Sequence, residues 1–197
     1  MKVPMTSKSN AWRVGVLALG AAFVLVGCGS SVGGDATPSG SSTATTNAGT
    51  GVAADVPSGF KPCDDIPQNV LDSEKLRMKI PADSDASGGI KWRGCQWVQS
   101  DGYGASIQTT NITVDMVKGK NFRDAREFTI GGRRAISTRQ VDDHPEAACT
   151  LNVEMRGGSL EFNLSNPPSR KNTGHLDTCS LTQALAEKVV PTLPAGA

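Results

Sequence analysis

The chain has 197 residues, 38% of them hydrophobic and 20% charged, and its 20 Lys+Arg against 19 Asp+Glu leave a formal charge of +1. So even a balance argues against a protein held on nucleic acid by bulk electrostatics. The hydrophobic fraction is enough for a folded core, but it is not spread evenly along the chain.

Lys2, Lys8 and Arg13 precede an uncharged, mostly apolar run from Val14 to Val26. As a helix, those residues would reach about 20 Å, short of the ~30 Å hydrocarbon core of a bilayer. A secretory signal peptide over residues 1–27 is therefore the expectation, rather than a spanning anchor. Leu25-Val26-Gly27-Cys28 closes the run and resembles the lipobox of bacterial lipoproteins. That resemblance makes Cys28 the site of lipidation and implies a protein held by lipid on the extracytoplasmic face of a cell membrane. Removing residues 1–27 takes away Lys2, Lys8 and Arg13 but no acidic residue, so the mature charge becomes −2.

Residues 28–59 read as a tether rich in Ser, Thr, Gly and Ala, with little to bury and nothing to offset the entropy of ordering it. Ser41, Ser42, Thr43, Thr45 and Thr46 are candidate acceptors of O-linked sugar on such a stalk. Residues 60–197 are expected to form one globular domain.

With Cys28 assigned to lipid, Cys63, Cys95, Cys149 and Cys179 form an even set, and an exported protein keeps disulfides. Four cysteines allow three connectivities, which sequence alone does not separate. The sequential pairing, Cys63 with Cys95 and Cys149 with Cys179, is the expectation. Structural zinc favours close pairs such as C-x₂-C, and gaps of about thirty residues argue against it, so no metal is assigned.

In chain order, a first helix is expected after Asp64-Asp65, with Pro67 in its first turn and Ile66, Val70, Leu71 and Leu76 as its buried face. Met78 to Pro81 reads as extended and Asp83 to Gly89 as a polar loop. A strand follows from Ile90 to Val98, with a bulge at Gly94. Asp101-Gly102 marks a hairpin into Tyr103 to Thr109, and Ile112 and Val114 extend that strand after a slip. Asn121 is read as capping a short helix with Phe122 and Ala125. Two arms surround Gly131-Gly132, and Cys149 to Met155 pairs with Leu160 to Leu164 across Gly157-Gly158. After a loop at Pro167-Pro168, Leu181, Leu185 and Val189 give one face of a last helix, ended by Pro191. The fold class is α+β: an antiparallel sheet of hairpins packed with an N-terminal and a C-terminal helix and carrying two disulfides.

The order of the cysteine-bearing segments carries a further resemblance. Pro62-Cys63, Gly94-Cys95-Gln96-Trp97, Gly131-Gly132-x-x-Ala135, Cys149-x-Leu151-x-Val153 and Cys179 leading to Leu185-Ala186 and Leu193-Pro194 stand behind the lipobox and tether. They resemble the actinobacterial lipoprotein family called domain of unknown function 3558, over about residues 60–194. The family commonly places an acidic residue before Pro-Cys, where this chain has Lys61. The resemblance implies a cell-envelope location in a mycolate-type actinobacterium and a domain with paired disulfides. It brings no catalytic residues.

His144, next to Asp142-Asp143, and His175, two residues before Asp177, could form a base with its orienting carboxylate. Both lie in loop-like sequence, where exposed residues beside acids are the plainer reading. No serine stands in G-x-S-x-G, and no glycine pair opens a helix after a strand to cradle phosphate. No catalytic residue and no cofactor are called.

Between Lys118 and Arg139 lie seven basic residues against Asp124 and Glu127. Lys118, Lys120, Arg123, Arg126, Arg133 and Arg134 are therefore candidates for binding anionic envelope lipid or wall polymer. The alternative is a solvated face whose arginines pair with nearby acids, Asp142, Asp143 and Glu146 among them. Trp92, Trp97 and Tyr103 are expected in sheet packing rather than in a ligand pocket. The functional expectation is a membrane-anchored module that binds a ligand or an envelope protein. An envelope hydrolase using a loop His/Asp pair, or a structural accessory subunit, are the alternatives.

Overall fold

The computed structural model describes residues 51–197. The expected signal peptide over residues 1–27, Cys28, and Ser41, Ser42, Thr43, Thr45 and Thr46 of the expected tether lie outside these residues.

Two short helices lead in, α1 (Pro62–Asp65) and α2 (Gln68–Ser73). The sequence reading starts a helix after Asp64-Asp65, but α1 ends at Asp65 and Ile66 is extended, with φ −71 and ψ 118. The ring of Pro67 disfavours helical geometry in the residue before it, so the chain breaks there and restarts. Strands β1 (Leu76–Pro81), β2 (Ser84–Ala86) and β3 (Ile90–Gln99) follow. β2 lies within the stretch expected to be loop, and it pairs with the start of β3 through Ser84↔Trp92 and Ala86↔Ile90.

The chain continues through β4 (Gly104–Thr110), α3 (Val114–Gly119), β5 (Arg123–Ile130) and β6 (Arg133–Arg139). It ends with β7 (Ala148–Met155), β8 (Gly158–Ser165) and α4 (Thr178–Val189). All pairings are antiparallel and join one sheet in the order β1-β3-β4-β8-β7-β6-β5, with β2 beside β3. The α+β class holds.

Two local expectations change. The strand stops at Thr110, and the helix comes before Asn121 rather than after it. Thr113 caps α3 by accepting from the Met116 amide at 3.2 Å, Val114 and Val117 give it a buried side, and Phe122 and Ala125 flank or enter strand structure. The register of β3 with β4 runs unbroken from Trp92↔Thr110 to Val98↔Gly104, so Gly94 is not a bulge. It is a close approach: a Cβ there would stand 2.2 Å from the Ile107 carbonyl oxygen.

Register divides the sheet into two faces. One row runs Ser137–Leu151–Phe162–Ile107–Cys95, and its neighbour runs Ala135–Val153–Leu160–Thr109–Arg93. Leu151, Val153, Leu160, Phe162 and Ile107 are fully buried there, beneath Leu185, Ala186 and Val189 of α4. α4 is held at its start by the Asp177 carboxylate, which accepts from the Ser180 amide at 2.8 Å, and by the Cys149–Cys179 bridge. The other face is polar. Its rows are Thr138–Thr150–Asn163–Ser106–Gln96 and Ile136–Asn152–Glu161–Gln108–Gly94, and α3 covers one end through Val114, Val117 and Ile136.

Residues assigned by sequence to the tether already contact the domain. Ala53 accepts from the Asn111 amide at 2.8 Å, Asp55 lies 3.5 Å from Lys91, and Pro57 is buried. The ordered entry into the domain thus starts before residue 60.

Candidate functional site

The cysteines form cross-links, Cys63–Cys95 and Cys149–Cys179, with Cα separations of 5.2 and 5.1 Å. The first ties α1 to β3; the second ties α4 to β7. Among the described residues no group of three His, Cys, Asp or Glu is placed to hold a metal ion.

The basic segment does not converge on one surface. Arg133 and Arg134 are successive on β6 and point to opposite faces. Arg133 donates to the backbone carbonyls of Glu154, Pro194 and Ala197. Arg134 pairs with Asp115 at 2.6 Å and Glu154 at 3.5 Å, and its guanidinium holds the Asp115 carboxyl below its usual range. Lys118 pairs with Glu127 at 2.7 Å. Arg139 meets Asp177 at 2.6 Å and Asp124 at 3.5 Å. Lys120, Arg123 and Arg126 make no ion pair among the described residues. Arg126 lines a cleft of about 270 Å³ with Arg139 at the start of α4, but Asp124 and Asp177 lie in the same cleft. The partners of these arginines are mostly not the acids of residues 142–146 that lie next in sequence.

The histidines do not form a catalytic pair. His144 is 83% exposed and faces Glu146 at 3.3 Å rather than Asp142 or Asp143. His175 is exposed, and the Asp177 carboxylate is committed to Ser180 and Arg139. Burial raises the Asp177 pKa, but the Ser180 bonds and Arg139 outweigh it and leave it below the usual range.

Trp97 and Tyr103 belong to the core, as expected. The Tyr103 hydroxyl donates to Glu74 at 2.6 Å, and Lys188 of α4 holds the other oxygen of that carboxylate. Burial first and Glu74 second push the phenol far above its ordinary range, so it stays neutral. Trp92 departs from the packing expectation. It lies half-buried on the polar face, in the row that continues through Thr110 and Ser159.

Two features escape sequence reading. The first is a cavity of about 340 Å³ where the chain enters the domain, walled by Val56, Pro57, Phe60 and Pro62 against Gly94 and Thr109. Arg93, Asp55, Asp64 and Asp83 stand at its polar margin. The second is the cluster around Glu161. Asn152, fully buried, donates through Nδ2 to Glu161 at 3.1 Å and Ser159 at 3.0 Å, while its Oδ1 has no partner among the described residues. Burial pushes the Glu161 carboxyl above its usual range, against the bond from Asn152, which favours the ionised form. Neither feature has a sequence signal, because each joins strands that are adjacent in space but distant in the chain.

No curated protein and no solved structure matches the chain. A family model, described as protein of unknown function (DUF3558), matches residues 23–192. That match spans the whole sheet and all four helices, and the chain belongs to the DUF3558 family.

Proposed function

We propose that the protein is a lipid-anchored module on the extracytoplasmic face of an actinobacterial cell membrane, binding a ligand or partner without transforming it. The observation that carries this reading is the way the entry segment is built. The residues that follow the tether are clamped to the sheet by Cys63–Cys95, and they wall the apolar cavity beneath them. A pocket of this kind, mostly apolar with a few polar groups at its margin, suits the capture of a small ligand. Two disulfides agree with an oxidising compartment, and the family match begins upstream of Cys28. The side chains that a loop hydrolase would need are spent elsewhere: Asp177 caps α4 and pairs with Arg139.

Anchoring is tested by Cys28→Ser. The wild-type protein is expected in the membrane fraction and the variant in the soluble extracytoplasmic fraction; equal membrane retention of the two refutes the lipid anchor. The basic segment contributes to membrane contact through Lys120, Arg123 and Arg126 alone. One observation favours the accessory-subunit reading. Met78 and Ile80, on the outer strand β1, are 69% and 48% exposed, the kind of apolar surface a protein partner covers.

A further inference from the structure

The cavity at the domain entry has walls and a mouth of different character. Its walls offer an inserted group little to bond with. Pro57, Phe60 and Pro62 are buried there. The Gly94 amide is spent on the Asp83 carboxylate at 2.9 Å, and the Thr109 hydroxyl on the Arg93 carbonyl at 3.2 Å. A polar group pushed between these walls would lose its water without replacement, so the body of a ligand held there is apolar. Its size is bounded as well. A volume of about 340 Å³ lies at the low end of the roughly 300–1,000 Å³ of small-molecule sites. The space takes one ring or a short chain, not a whole lipid.

The mouth is charged, and its charges do not cancel. Asp55, Asp64 and Asp83 line it together with Lys61 and Arg93. Arg93 is spent on Asp85 at 2.6 Å and on the carbonyls of Ser84 and Trp92. Asp55 lies 3.5 Å from Lys91, which offsets it. Among the described residues, neither Asp64, Asp83 nor Lys61 forms an ion pair, so two carboxylates stand against one ammonium. Just outside, Lys79 on the Cys63 carbonyl and Asp65 on the Lys61 amide add one charge of each sign. An excess of one negative charge remains.

This balance separates ligands of the same shape. An anion would carry its charge toward unspent carboxylates beside a low-dielectric wall, and a neutral ligand would gain nothing from them. A cation is drawn in. Resting on the cavity reading above, we propose that the entry cavity takes a small apolar monocation, an amine or quaternary ammonium. Its body enters between Pro57, Phe60 and Pro62, and its charge stays at the mouth with Asp64 and Asp83.

The test uses the full-length protein in nanodiscs of zwitterionic phospholipid, with empty discs as the blank. Benzyltrimethylammonium, benzyl alcohol and phenylacetate share a phenyl ring and differ in charge, and each is titrated by ligand-observed NMR. Two variants accompany the wild type, with thermal melts to confirm folding. Val56→Trp fills the cavity from its half-buried wall, and Asp64→Lys reverses the balance at the mouth from an exposed position. The wild type is expected to bind the ammonium saturably and about tenfold more tightly than phenylacetate at low salt. Val56→Trp should weaken all three probes, and Asp64→Lys should turn the preference toward phenylacetate. Equal affinity for the three probes, tightest binding of phenylacetate, or a preference unchanged by Asp64→Lys overturns the cationic class and leaves the cavity reading standing. No saturable binding of any probe up to about 10 mM, or binding that Val56→Trp does not weaken, overturns the cavity reading and this proposal together.

Discussion

A carboxyl group bonded to a buried amide sets the behaviour of the polar face at the scale of single residues. Burial favours the protonated form of Glu161 in the folded protein, while in the unfolded chain the group ionises near its ordinary value of 4.5. The sign follows from linkage: a carboxyl whose folded pKa is raised costs stability as pH rises from its unfolded pKa toward its folded one. Glu161→Gln, which keeps the shape and stays neutral, is therefore expected to melt higher than the wild type at pH 7 and at the same temperature near pH 3.5. Thermal melts across that range check it, and a variant that melts lower at pH 7 would show that the ionised form is the one the fold holds. The tetrapeptide Gly94-Cys95-Gln96-Trp97 shows how much a short motif can carry. Gly94 lets β4 approach, Cys95 bridges to Cys63, Gln96 faces outward and Trp97 is 2% exposed in the core. The cysteine set and the alternate apolar residues were legible because an even cysteine count and period-two burial can be read without knowing the strand order. The Tyr103–Glu74 bond was not, because nothing near either residue indicates that the fold brings them together.

At the scale of elements, α4 and the hairpin β7–β8 follow closely from sequence. Leu185 and Val189 fall on the buried side of a helix capped by Asp177, and Gly157, with φ +84, turns β7 back into β8. The stretch from Ile112 to Ile130 follows less well. Ile112 and Val114 are β-branched and read as strand, while a left-handed Asn121, with φ 51, stands where a cap would be sought. What makes 114–119 helical is the Thr113 cap and the packing of Val114 and Val117 on Ile136, a contact that only the folded sheet supplies. The second disulfide joins α4 to the sheet across a separation of 30 residues. In the chain-entropy model a closed loop of that size contributes about 3–4 kcal/mol. Cys149→Ala combined with Cys179→Ala is expected to lose roughly that much in urea unfolding, with a further fall on reduction, which opens Cys63–Cys95 as well. A loss below about 1 kcal/mol would mean that packing of α4 on Leu151 and Phe162 holds the helix without the bridge.

At the scale of the whole molecule, the fold class was legible, and of three cysteine pairings that sequence does not separate the expected sequential one is formed, while the strand order and the destiny of the basic segment were not legible. Composition counts charges, but register decides which meet: Arg133 and Arg134 part to opposite faces, and Arg139 reaches Asp177, 38 residues away. The result is a sheet with one side sealed by α4, a polar side, and an entry segment clamped by a disulfide over a cavity. The described residues contain no helix long and apolar enough to cross a membrane. Attachment in this account rests on Cys28. The most direct measurement is mass spectrometry of the native protein, unreduced, from fractionated cells. The account predicts a membrane-fraction chain beginning at a lipid-modified Cys28, with peptides linked Cys63–Cys95 and Cys149–Cys179. An unmodified chain still carrying residues 1–27, found in the cytosol with those thiols free, would contradict it.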